Sequence, residues 1–158
     1  MNYTIIPIKS SFLHKVRQLS LDDLDQRVET VTAKGGEPCR DVLRGAIPGE
    51  QLLLASYCPF EATGPYREFG PVFVLKNPSN DVIDLSTLPL PQGKTTDFLG
   101  QCFVLKAYCD NERIIDATLT TPECAEADLQ RLLQQAETHF VIARYAAYGC
   151  YSFRVERE

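Results

Sequence analysis

Between Gly35 and Pro71 glycines and prolines punctuate the chain so densely that backbone shape, more than chemistry, governs what it can fold into. Pro38-Cys39-Arg40, Pro48-Gly49-Glu50, Pro59-Phe60, Gly64-Pro65-Tyr66 and Gly70-Pro71 follow one another within that stretch. Glycine supplies positive φ or room for close approach, and proline fixes φ while removing a hydrogen-bond donor. Such a run describes loops held in defined conformations between short strands. Ordered loops on a rigid scaffold are where binding and catalytic groups tend to sit, so a site is expected here. The residues themselves name no substrate or reaction.

A chain of 158 residues fits one domain. At this size about 68–70% of the surface exposed by the unfolded chain can be buried, so no metal or disulfide staple is needed. Lys and Arg number 16 against 21 Asp and Glu, a formal net charge of −5. The basic residues are scattered rather than gathered into a stripe, and nucleic acid is not an expected partner. Around Ile5-Ile6-Pro7-Ile8 there is no cationic leader and no long apolar region. No later run approaches the roughly 18 apolar residues of a membrane span, so the expected location is cytoplasmic, with no membrane partner.

Cys39, Cys58, Cys102, Cys109, Cys124 and Cys150 are therefore expected to be reduced thiols, most of them acting as small buried hydrophobes. No two form Cys-x-x-Cys, and His14 and His139 stand far from any cysteine pair. Neither a metal nor another cofactor is expected.

Periodicity predicts the elements. A strand over 3–8 precedes a helix over 11–19, and Ser20-Leu21-Asp22-Asp23 reads as the capped start of a second short helix. Strands are predicted over 29–33, Gln51–Tyr57 and 72–76. Another over 101–108 turns through Cys109-Asp110-Asn111-Glu112 into 113–119 as a hairpin. Residues 77–100 read as a long connection with one extended piece near 82–85. Leu129, Leu132, Leu133 and Ala136 recur at helical spacing, and Phe140–Tyr145 and 151–155 close the chain as strands. Strict alternation would put Tyr151, Phe153 and Val155 on one face, joining Leu53, Phe73, Val104 and Leu132 in a single core.

Three constellations carry candidate chemistry. Arg40 sits in a turn-rich segment where its five donors can take carbonyls, a carboxylate such as Glu50, or an anionic ligand. Tyr66 and Glu68 lie on a loop bracketed by two Gly-Pro pairs, where Glu68 is the best-placed carboxylate for acid–base work and a solvated surface residue is the alternative. Arg144 and Cys150 flank the last predicted turn, where Cys150 is either a packed thiol or a nucleophile that His139 reaches only through the fold.

At these positions the chain resembles the family catalogued as domain of unknown function 1203, small bacterial proteins of about this length. The resemblance rests on Pro38-Cys39-Arg40-x-x-Leu43, Ala46-x-Pro48-Gly49-Glu50-x-x-Leu53-Leu54, Pro65-Tyr66, Gly70-Pro71-Val72-Phe73-Val74 and Gly149-Cys150-Tyr151 with Val155. It implies a cytosolic bacterial protein and brings no activity, cofactor or catalytic residue with it.

The expected architecture is α+β: a mixed, mainly antiparallel sheet of about six to eight strands. One main amphipathic helix around 125–136 lies on one face. Near-continuous apolar strands require cover on the other face, from one or two short N-terminal helices, a second sheet or a subunit partner; a homodimer is compatible with all of this. Two functions fit. In one, Arg40, Tyr66 and Arg144 make a binding module for a small anionic ligand or a protein partner. In the other, a small enzyme uses Glu68 or Cys150, with 77–100 as a lid, and a concave pocket holding both Glu68 and an arginine would favour it. The sharpest expectation is that Arg40, Tyr66, Glu68 and Arg144 converge.

Overall fold

The computed structural model describes residues 2–90 and 98–158. In chain order it forms β1 (Tyr3–Ile6), α1 (Ser10–His14), β2 (Glu29–Thr32), β3 (Pro38–Cys39), β4 (Arg44–Gly45), β5 (Gln51–Tyr57), β6 (Gly70–Leu75), β7 (Phe103–Tyr108), β8 (Ile114–Thr120), α2 (Ala125–Gln134), β9 (Phe140–Tyr145) and β10 (Tyr151–Arg157). The fold is α+β, as expected. Its strands, however, form two five-stranded sheets rather than one sheet: β1-β10-β9-β7-β8 and β2-β5-β6-β3-β4. All pairings are antiparallel except β3 with β6.

The first sheet is apolar on both faces because each face has its own cover. Phe103, Leu105, Val141, Ala143, Phe153 and Val155 point to α2, which contributes Leu129, Leu132 and Leu133. Glu126 and Asp128 in the first turn of α2 suit the helix dipole. Tyr108, Phe140, Ile142 and Tyr151 point the other way, to Leu53, Tyr57, Val72 and Val74 of the second sheet and to Phe12 and Val16. The second sheet is thus the missing cover. A third cluster, around Cys39, Leu52 and Leu75, lies on its far side, so the core is divided rather than single. Phe73 and Val104 are only half-buried.

Two local readings are corrected. No second short helix starts at Ser20: α1 continues as a π turn over Lys15–Leu19, and Ser20 ends it at φ 56°. The following residues make a tight turn around Asp22, whose Oδ1 accepts from the Leu24 and Gln26 amides at 2.9 Å and whose Oδ2 accepts from Ser56 N at 3.0 Å. Nor do Tyr151, Phe153 and Val155 share a face. Tyr151 pairs with Arg144 and Phe153 with Ala143, so Ser152 is an extra residue, a bulge that turns Tyr151 to the opposite face.

Within 77–100, residues 91–97 lie outside the described residues. The piece at 82–85 is no strand, although Leu85 O accepts from Ile5 N at 2.8 Å. Leu88, Phe98 and Leu99 from this connection are buried on the α2 side of the first sheet.

The Pro-Gly turn before β5 is braced by an ion pair other than the Arg40–Glu50 pair that the sequence allows. Glu50 pairs with Arg44, not Arg40, through two parallel hydrogen bonds of 2.9 Å. Arg44 holds the Glu50 carboxyl down at about 2, from an ordinary 4.5. The folded state therefore binds this proton more weakly than the unfolded chain. The pair's contribution is complete above pH 4.5 and is lost as pH falls toward 2. Both side chains are partly solvated, so the contribution is about 1 kcal/mol. Glu50→Gln should remove that part of the acid limb in a urea stability series; an unaltered limb would mean that solvent already screens the pair.

Candidate functional site

Arg144, the penultimate residue of β9, is the side chain around which a cleft is built. Along β9 the alternation sends Val141 and Ala143 toward α2, and Phe140 and Ile142 toward the second sheet. Arg144 follows the latter set. Gly149 takes φ +73° to close the five-residue turn, with its N–H donating to Tyr145 O at 2.8 Å and Tyr145 N–H donating to Cys150 O at 3.0 Å. The turn folds back over Arg144, whose Nη1 donates to Gly149 O at 3.1 Å.

Arg144 is 6% exposed. Its other terminal nitrogen makes an ion pair with Glu68, and its Nε meets no hydrogen-bond acceptor among the described residues. The Tyr108 phenol also lies against it; burial raises the Tyr108 pKa and the nearby guanidinium works the other way. Arg144, Glu68, Cys150, Tyr57, Tyr151 and Pro59 line a cleft of about 200 Å³. Tyr57 stacks edge-on against Tyr151 at 4.9 Å, and burial raises both phenol pKa values, so the floor is aromatic and uncharged.

The four residues expected to converge divide among three places. Glu68 and Arg144 meet, with Cys150 beside them. Tyr66 lines a neighbouring depression of about 340 Å³ formed by residues 62–67 and 110–113. Arg40 lines neither. It is buried on the other side of β9, with its guanidinium over the Tyr145 ring at 5.0 Å, Nε donating to Tyr151 O at 2.9 Å and Nη1 donating to Pro38 O at 2.6 Å. Burial lowers its pKa, and no carboxylate pairs with it among the described residues. Arg40 is a strut that fixes the start of β10 to the end of β3.

The expected enzyme signature is present in form, because a concave pocket does hold Glu68 and an arginine. The two groups are spent on each other, however. Cys150 is half-buried, with its Sγ 3.7 Å from Tyr148 O. His139 precedes the opposite end of β9, roughly 15–20 Å away at the rise of a strand. No histidine lines the cleft. No described residue from 77–100 lines it either. All six cysteines are free, and the described residues contain no cluster of His, Cys, Asp and Glu able to hold a metal. No helix among them is long and apolar enough to cross a membrane.

Residues 61–69, which carry Tyr66 and Glu68, are all exposed, so polar contacts must hold this loop. Lys9 pairs with Glu61 at one end and Arg144 with Glu68 at the other. Between them Glu112 accepts from Glu61 N at 2.9 and 3.1 Å and from Ala62 N at 2.8 Å. Nothing in the sequence marked Glu112, which reads there as an ordinary hairpin-turn residue. Glu112→Ala should raise the rate of tryptic cleavage after Arg67 roughly ten-fold, equivalent to about 1.4 kcal/mol of easier opening. Mass mapping of the first fragments checks this, and an unchanged cleavage rate would show that the loop is held elsewhere.

Residues 36–157 match the family model described as Protein of unknown function (DUF1203). No curated protein and no solved structure matches the chain.

Proposed function

We propose that the chain, which belongs to the DUF1203 family, is a cytoplasmic single-domain binding module that takes the anionic group of a small molecule, a carboxylate or phosphate, on Arg144. One observation carries the reading: a buried guanidinium borders a cleft, its Nε meets no acceptor among the described residues, and the carboxylate it pairs with there is a half-exposed one on an exposed loop. Arginine's planar fork favours two parallel bonds to an oxyanion, and the turn that accepts from Nη1 pre-orients it. Glu68 occupies the place of the ligand's anionic group. The pairing of Glu68 with Arg144 and the lack of an imidazole among the residues lining the cleft support recognition over turnover.

The test is calorimetric titration of inorganic phosphate and of 3-phenylpropionate into the wild type and Glu68→Gln. Removing the competing carboxylate should tighten anion binding about ten-fold, and a thermal melt of the variant checks that the fold is kept. If neither protein binds either anion, Arg144 is structural and the reading fails.

A further inference from the structure

We infer that the ligand of this cleft is a zwitterion, a single α-amino acid with an apolar or aromatic side chain. The inference rests on the anion-site reading and adds a second recognition point. Among the residues lining the cleft, Arg144 and Glu68 are the charged ones, and their formal charges sum to zero. A simple anion seated on Arg144 would leave the Glu68 carboxylate beside a like charge without its partner, which disfavours binding. A simple cation seated on Glu68 would strand the buried Arg144 in the same way. A zwitterion avoids both penalties. Its carboxylate takes the guanidinium nitrogen that Glu68 holds in the free protein, and its ammonium takes the carboxylate of Glu68.

The mechanical arrangement suits this exchange. Arg144 is fixed by β9 and by its bond to Gly149 O. Glu68 rides on the exposed loop 61–69, outside both sheets, so its side chain can turn aside for a ligand while the strands stay paired. Tyr57, Pro59, Phe69, Pro71 and Tyr151 then form apolar walls for a side chain. The volume, about 200 Å³, lies below the roughly 300–1,000 Å³ of pockets for drug-sized molecules, which suits one amino acid rather than a nucleotide.

The experiment compares three probes of one shape by calorimetry on the full chain: L-phenylalanine, 3-phenylpropionate, which lacks the ammonium, and phenethylamine, which lacks the carboxylate. The wild type should bind L-phenylalanine at least ten-fold more tightly than either analogue. In Glu68→Gln the preference should invert, with L-phenylalanine weakened about ten-fold and 3-phenylpropionate strengthened. If 3-phenylpropionate binds the wild type as well as L-phenylalanine does, the zwitterion inference is overturned while the anion site stands. If none of the three, nor inorganic phosphate, binds either protein, both fall together.

Discussion

Replacing Phe153 by alanine is expected to destabilise the protein by about 3–5 kcal/mol, the usual range for truncating a buried aromatic ring. The ring is fully buried on the α2 side of the first sheet, with Leu105, Val141 and Leu132 in the same cluster. Deleting it forfeits the transfer energy of the ring and leaves a void between sheet and helix, and helix and sheet can close that void only in part. For a chain of this size the melting temperature should fall by roughly 6–20 °C, with the urea midpoint moving in step and the m-value unchanged. An unmoved midpoint would contradict the packing of β10 against α2. The position also bears on the cleft, because Phe153 is where β10 regains its pairing with β9 after the bulge at Ser152. Loosening it should blur the register that sets Arg144 opposite Tyr151.

The second large effect is expected at Asp22. Its carboxylate accepts three backbone N–H groups, from Leu24, Gln26 and Ser56, and it is 3% exposed. Asp22→Ala strands all three donors and removes charge-assisted bonds, so a loss of about 3 kcal/mol is expected. Asp22→Asn keeps one accepting oxygen and should lose roughly half as much. Chemical denaturation of both variants measures this. If alanine and asparagine behave alike, hydrogen bonding is not what the carboxylate contributes. Had Asp22 been the first-turn residue of an exposed helix, as its sequence context suggests, the loss would be about 1 kcal/mol or less. The size of the effect therefore separates the two descriptions.

Much of the candidate site was visible in the chain as residue types and invisible as an arrangement. Glu68, Arg144 and Cys150 were singled out because they sit in the segments most constrained by glycine and proline, and these three share the cleft. Arg40 was singled out on the same grounds and serves as a strut instead. A guanidinium in a turn looks the same in sequence whether carbonyls or a ligand will receive it, and only the 2.9 Å and 2.6 Å bonds to Tyr151 O and Pro38 O decide. Arg44 was passed over for a similar reason. Both arginines lie within ten residues of Glu50, and which one forks onto it depends on the pairing of Cys39 with Arg44 in a two-residue ladder. Glu112 carried no signal at all, because its partners are amides some fifty residues earlier.

What the sequence determined by itself is whatever repeats at a local period. Strand Gln51–Tyr57, strand Phe140–Tyr145, the hairpin of β7 and β8, and the apolar stripe of α2 stand where alternation and helical spacing place them. These patterns are written in neighbouring residues and need no knowledge of the partner surface. The tertiary structure alone decided that the strands divide into two sheets and that the second sheet covers the first. It also decided that Ser152 is extruded as a bulge, reversing the face of Tyr151. A bulge adds one residue without altering the alternation that can be read in its own strand, because it is defined by what lies opposite. The meeting of Glu68 with Arg144 has the same origin: two strand ends and a loop, far apart along the chain, are brought together by packing whose energy belongs to the whole core.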